Sequence, residues 1–325
     1  MSMSGGGVGG GDAGGTAGGD AGGSASMTLI ACEGKTGWQP LASLPTGAQQ
    51  ESAVAILNGE IFLVGGYDAT PLMLTRVLAY SPSTNTWREA AGLPKQMHHV
   101  NLASYAGKLY ALGGLGQGFG ALSDTYSYDP STNAWSALAP MPTGSDRGAC
   151  GVAVVDDRIV LVGGYRMGGS VDTVSAYVPA TNTWETLPVL PVRKDHLVTV
   201  SVGDTIYAIG GRNSVIDGRV DALKLDGGWQ PRAAMMTPRA GSSGAVVNGT
   251  VIVSGGEGNS AVPSGVFPQT ERYDPVANSW SSEPAMRTPR HGTGAAGFGD
   301  TFVVPGGANK QGFGAVSTVE ALCPP

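Results

Sequence analysis

A two-residue turn recurs six times in this chain, and a Gly-Gly doublet always begins seven residues after the turn's first residue. The turns begin at Asn58, Ala106, Asp156, Gly203, Asn248 and Gly299; the doublets begin at Gly65, Gly113, Gly163, Gly210, Gly255 and Gly306. Six tryptophans accompany them: Trp38, Trp87, Trp135, Trp184, Trp229 and Trp280, spaced by 49, 48, 49, 45 and 51 residues. A hairpin that keeps its turn and its exit in one register through six copies marks a repeat architecture, which governs every other reading of the chain.

Each unit reads as four short strands. In the first unit these are 52–57, 61–64, 76–80 and a strand that begins at Trp87. Four-stranded antiparallel sheets repeated radially make a β-propeller, so the expected fold is all-β with six blades. After the last doublet one strand, 317–322, is expected before the sequence ends, and no tryptophan follows it. Trp38 precedes the first doublet, so segment 36–44 is expected to supply the outer strand of the last blade. That pairing removes an open sheet edge.

The punctuation resembles the kelch repeat. The residues that carry the resemblance are Tyr128-Asp129-Pro130 with Asn133-Ala134-Trp135, Tyr273-Asp274-Pro275 with Asn278-Ser279-Trp280, and Met141-Pro142, Thr237-Pro238-Arg239 and Thr288-Pro289-Arg290. It covers about 290 residues, and blade four departs most, with Leu225-Asp226-Gly227-Gly228-Trp229 in place of the Pro and Asn before Trp. Such propellers serve as enzymes, binding modules and scaffolds, so the resemblance implies the fold and leaves the function open. Galactose-oxidase-like copper enzymes use a Tyr-His pair, and this chain has no such dipeptide. The Glu-x3-Asp-x3-His iron string of plant nitrile-specifier proteins is also missing. Bacterial sialic acid mutarotases are similar in size and architecture, but no catalytic residue carries over from them.

Composition separates the ends from the body. Of 53 glycines among 325 residues, 12 fall within residues 1–30. The division expected is a Gly/Ala/Ser/Asp-rich tail over 1–35 and the propeller over 36–325. The tail is similar to linkers that follow the lipid-bearing cysteine of some bacterial surface lipoproteins; a plain disordered terminus is the other reading. No apolar signal-peptide core is visible in this numbering. With a net charge of −6 and 6 Lys and 13 Arg scattered singly, there is no basic stripe for nucleic acid. No apolar run is long enough for a transmembrane segment. A monomer is expected.

Counting in the circular register places two cysteines together. Pro82 stands five residues before Trp87, and Pro324 takes the same place in the last blade, so Cys323 sits six before a tryptophan. Six before Trp38 is Cys32. A Cys32–Cys323 disulfide at the ring closure is expected, with two unpaired thiols as the alternative. The disulfide would imply an oxidising compartment: extracellular, periplasmic or cell-surface.

Function is expected on the face formed by the inter-blade connections and the irregular loops after Gly-Gly. All four histidines fall in two adjacent columns of the repeat. The first column, eight places before each inner turn, holds Gln50, His98, Gly148, Asp195, Ala240 and His291. The second column, one place later, holds Glu51, His99, Ala149, His196, Gly241 and Gly292. Both columns are expected to open the innermost strand at the channel mouth. The kelch resemblance makes the arginine just before the first column structural. It implies that the residues after it and after Gly-Gly face a ligand: His98, His99, Asp195, His196 and His291, with Tyr67, Tyr165, Arg166, Arg212, Asn213 and Glu257.

Three chemistries compete for these columns. One is a single divalent metal ion, Zn, Cu or Fe, held by His99, His196 and Glu51 or by His98, Asp195 and His291. Strand alternation opposes a shared centre, since neighbouring columns should point apart, and blades two and four are not adjacent. The second is a polar pocket for a small polar molecule, a glycan or an acidic compound, in which His98, His99, His196 or His291 serve as ligands or as acid–base groups of an isomerase, lyase or oxidoreductase. The third is a protein-binding face, on which loop residues such as Phe119 and Phe267 matter more than the histidines. The sequence leaves open whether the chain is an enzyme. Cys150 reads as a small buried filler.

Overall fold

The computed structural model describes residues 29–325, so most of the expected tail lies outside the described residues. Six four-stranded antiparallel sheets make a six-bladed ring. Blade one contains Ala53–Leu57, Glu60–Val64, Val77–Ser81 and Thr86–Ala90, and blades two to five repeat that order. Blade six takes three strands from the C-terminus, Ala296–Phe298, Thr301–Pro305 and Val319–Cys323, and its outer strand, Gly37–Pro40, from the N-terminus. Trp38 pairs with Leu322 and Gly37 with Cys323, and the Cys32–Cys323 disulfide staples this closure. Leu29 and Cys32 are buried and 30–32 form a 3₁₀ turn, so 29–32, counted with the tail above, pack onto the ring.

The six-fold register has local causes. The first residue of every inner turn has a positive φ: Asn58, Ala106, Asp156, Gly203, Asn248 and Gly299. Two-residue hairpins with this twist match the twist of their strands. The doublets mark where blades meet. A Cβ on Gly65 would lie 2.6 Å from the Met97 carbonyl of blade two, and one on Gly306 would lie 2.6 Å from the Gln49 carbonyl of blade one. Gly66 N–H donates to that same Met97 carbonyl at 2.8 Å, and Gly307 N–H to that of Gln49.

The outer edge is locked by polar side chains. Each tryptophan Nε1–H donates to a carbonyl of a neighbouring blade, as Trp87 does to Ala42 and Trp135 to Ala91, both at 2.8 Å. In four blades a buried Tyr donates to the Asn of the outer turn, and that Asn accepts a backbone N–H from the connection beside it. Tyr128, Asn133 and Ala91 form one such set. Blade four, with its shortened turn, lacks it. Between blades the core is aliphatic and aromatic: Phe62 of blade one packs on Tyr128 of blade two at 5.9 Å between ring centres. The arginines just before the first column are buried and structural, with Arg290 on Glu320 at 2.5 Å and Arg239 on Glu271 at 3.1 Å.

Candidate ligand site at the mouth of the central channel

The two histidine columns do not open the innermost strand; they stand just before it. Each member of the first column forms an isolated bridge with the residue after a doublet: Gln50 with Tyr67, His98 with Leu115, Gly148 with Tyr165, Asp195 with Arg212, Ala240 with Glu257 and His291 with Ala308. Every member of the second column has a positive φ: Glu51 53°, His99 50°, Ala149 52°, His196 53°, Gly241 62° and Gly292 66°. Their backbones close a ring of hydrogen bonds. His99 N–H donates to Glu51 O, Ala149 to His99, His196 to Ala149, Gly241 to His196, Gly292 to Gly241 and Glu51 to Gly292, at 2.5–3.1 Å.

The two columns point apart, as expected, but a shared centre does not need both of them. The second-column side chains turn over the channel and the first-column side chains stand behind them. The whole second column lines the channel cavity, of about 140 Å³, and no member of the first column does. Nor does the gap between blades two and four separate their histidines. The intervening blade presents only Ala149, and His99 Nε2 meets His196 Nε2 at 2.9 Å.

Glu51 completes the group, with Oε2 at 2.9 Å from His99 Nε2. His98 Nδ1 lies 2.5 Å from His99 Nδ1, and Asp195 Oδ1 lies 2.5 Å from His196 Nδ1. Asp195 also accepts from Ser170 Oγ at 2.5 Å and from Arg212 Nε at 3.2 Å. Arg212 donates to Glu257 as well, and its Nη2 lies 3.1 Å from His196 Nε2. His291 contacts the Lys310 carbonyl through Nε2 at 3.0 Å. Its buried Nδ1 has no hydrogen-bond partner and faces Glu257 at 3.7 Å and Glu51 at 3.9 Å.

Hydrogen-bond roles fix most of the protons. His98 Nε2 meets the Gly116 carbonyl at 3.0 Å, so it carries the proton and donates. Burial, with the neighbouring His99 charge, pushes His98 down to about 3, so it is neutral and its Nδ1 accepts from His99 Nδ1–H. Burial also lowers His196, outweighing the hydrogen bond to Asp195 that favours its charged form. Burial alone would raise Asp195, but His196 and Ser170 hold it below the usual carboxylate range. For Glu51 too, burial is outweighed by the charge and hydrogen bond of His99, with His291 and His196 adding to them, and the carboxyl is held far below its usual range. Two imidazole Nε2 atoms and Glu51 Oε2 thus converge at the His99–Glu51–His196 contact. A proton or a cation must lie among them.

The remaining expected residues divide. Tyr67 stacks on His98 at 4.4 Å, and Glu257 is buried beside the cluster. Tyr165 lies at the rim against Phe119 at 6.3 Å. Arg166 instead pairs with Asp146 at 3.4 Å, and Asn213 is exposed in a short hairpin with Val215. Phe267 is buried, so it presents no surface for a partner. Sequence reasoning did not assign Ser170, Phe119 or Phe313 to the small-molecule site. Phe119 caps His98 at 5.0 Å, and Phe313 packs edge-on against Tyr67 at 5.4 Å. Their loops have no shared register that could have aligned them.

Residues 14–211 match the family model described as the KLHDC2/KLHL20/DRC7 Kelch-repeats domain, and residues 238–287 match the Kelch motif. Kelch-like protein terF of Aspergillus terreus (strain NIH 2624 / FGSC A1156) is 34% identical over 297 residues, covering 85% of this chain and 65% of terF. Kelch repeat and BTB domain-containing protein 1 of Camelpox virus (strain CMS) is 23% identical over 242 residues, covering 73% of this chain and 34% of the viral protein. The chain thus spans just under two thirds of the first relative's length and one third of the second's. The solved structure titled "Structure of YjhT" superposes with a TM-score of 0.72 at 17% identity, covering 86% of this chain and 95% of that one; this likeness is one of fold. The repeat register, the six-bladed ring and these matches agree, and the chain belongs to the kelch-repeat family of β-propellers.

Proposed function

We propose that this propeller binds a small polyhydroxylated ligand, such as the end of a glycan, at the mouth of its channel. The observation that carries this reading is the convergence of Glu51, His99, Asp195, His196, Arg212 and Glu257, with Tyr67 packed on His98 and the exposed rings of Phe119 and Phe313 beside it. Three carboxylates stand against one guanidinium, so the mouth favours a neutral ligand with hydroxyl donors over an acidic one. Aromatic faces suit the apolar face of a sugar ring. Export belongs to the same proposal, since disulfides persist in oxidising compartments. Among the described residues, no helix is long and apolar enough to cross a membrane. The paired imidazoles and carboxylates also suit acid–base chemistry on a bound sugar.

Thermal-shift screening and calorimetry with neutral sugars, sugar acids and small carboxylic acids test this reading. Neutral sugars should raise the melting temperature of the native chain and lose that effect in His196→Ala and Arg212→Ala. Lys224→Ala, which alters an exposed pair with Asp204, should leave it intact. A panel without hits, or hits indifferent to both site variants, would overturn the proposal.

One observation favours a protein partner as the second reading. Each of the six loops after the doublets carries an exposed apolar residue: Leu72, Phe119, Met167, Val215, Val262 and Phe313. The kelch-like relatives are consistent with such a role. A Met167→Asp, Val215→Asp variant that loses a partner but keeps sugar binding would support it.

A further inference from the structure

We propose that Glu51, His99 and His196 hold one divalent first-row transition-metal ion at the channel mouth. The proposal deepens the reading that this mouth is the functional site, and it stands on the arrangement of donor atoms. His99 Nε2 lies 2.9 Å from both Glu51 Oε2 and His196 Nε2, and the donor atoms of all three residues lie within 4.8 Å of one another. Ligand atoms about 2.1 Å from an ion and at right angles to each other stand about 3.0 Å apart. The two measured spacings therefore fit neighbouring positions around one ion.

The outer ends of both imidazoles are already engaged. His99 Nδ1–H donates to His98, whose own proton is committed to the Gly116 carbonyl. His196 Nδ1–H donates to Asp195, which Ser170 and Arg212 hold in place. The Nε2 atoms are consequently the free ends of both rings, and they lie together with a Glu51 carboxylate oxygen within 4.8 Å. A metal-bound histidine almost always has its far nitrogen tied to an acceptor in this way, which fixes the tautomer and the ring direction.

The surrounding positions leave room for the ion and for something bound to it. In the rest of the second column Ala149 is small and Gly241 and Gly292 have no side chain, and all three border the same cavity. A Cβ at Gly292 would come within 2.6 Å of Glu51 Oε1 and displace the carboxylate. An ion would cost one contact, Arg212 Nη2 to His196 Nε2 at 3.1 Å, while Arg212 keeps its carboxylate partners. Two imidazoles and one carboxylate with open positions select Fe(II), Co(II) or Zn(II) over Ca(II) or Mg(II). The open positions face the cavity, so a hydroxyl or carbonyl oxygen of a bound sugar is the class of group the ion would meet.

The test uses the untagged full chain, stripped with chelator and titrated with Zn(II) by calorimetry and with Co(II) by visible absorption. One equivalent should bind. His99→Ala and His196→Ala should abolish binding, and Asp195→Asn should weaken it about 10- to 100-fold, as expected when a ligand loses its orienting partner. Glu51→Gln, nearly isosteric, guards against a folding artefact and should weaken binding while keeping the native melting profile. Fewer than about 0.1 equivalents at saturating Zn(II) and Co(II), or a stoichiometry unchanged in His99→Ala and His196→Ala, would overturn the proposal. Sugar binding that stays dependent on His196 without metal would sink the ion and spare the ligand reading. Metal binding without any sugar binding would do the reverse.

Discussion

The outer edge of the ring and the mouth of its channel are built by the same six repeats, yet they treat variation in opposite ways. At the edge, all six tryptophans donate to a neighbouring carbonyl, and four Tyr–Asn pairs repeat one hydrogen bond. Backbone and side chain repeat together there. At the mouth only the backbone repeats. Six left-handed residues close one hydrogen-bond ring, but their side chains run from glycine to glutamate and histidine. A left-handed conformation costs a non-glycine residue about 1–2 kcal/mol. Glu51, His99 and His196 occupy places where glycine would satisfy the fold better. The edge is what closure requires, and the mouth is where the chain departs from that requirement.

The largest expected effect belongs to the edge. Replacing Cys32 and Cys323 by serine opens a loop with a sequence separation of 291 residues and should lower stability by about 4–5 kcal/mol. Guanidinium denaturation measures this, and ligand binding at the mouth should survive in the folded fraction. Next comes the blade junction. Gly65→Ala places a Cβ against the Met97 carbonyl at a φ of +64° and should cost about 3 kcal/mol. Asn133→Ala removes the acceptor shared by Tyr128 and Ala91 and should cost about 1–2 kcal/mol. If any of these edge changes proved neutral, the contrast between edge and mouth would weaken.

Cys150 sharpens the comparison from inside the channel, since it lines the cavity one residue past the ring. Burial pushes its thiol up to about 11. A raised thiol pKa means little thiolate at neutral pH, about 0.1% at pH 8. Alkylation of the native chain should therefore be slow at pH 8 and rise about tenfold per pH unit toward pH 11. Fast labelling at pH 8 would show that the channel wall is looser than its packing indicates.

Much of the repeating frame was legible in the sequence because each signal has a local cause. The turn needs a left-handed first residue, the doublet lies against the next blade's carbonyl, and the outer turn needs an Asn for its Tyr. The disulfide was legible because circular register puts Cys32 and Cys323 at equivalent places. At the mouth the two histidine columns could be read, but their geometry could not. Four of the six members of the second column are not glycine, so nothing in Glu51, His99, Ala149 or His196 announces a positive φ. Strand alternation rightly set His98 behind His99 and Asp195 behind His196; the distance between blades two and four was misjudged, because the left-handed ring brings His99 and His196 to 2.9 Å. Phe119 and Ser170 stayed out of the site because loops of unequal length share no register.

The most direct measurement is the denaturation midpoint of the triple variant Glu51→Gly, His99→Gly, His196→Gly against the native chain. If these side chains serve binding and not the fold, the variant should be as stable as the native chain or more stable by about 1 kcal/mol. A loss of more than about 2 kcal/mol would mean that the cluster holds the ring together, contradicting the division between a structural edge and a functional mouth.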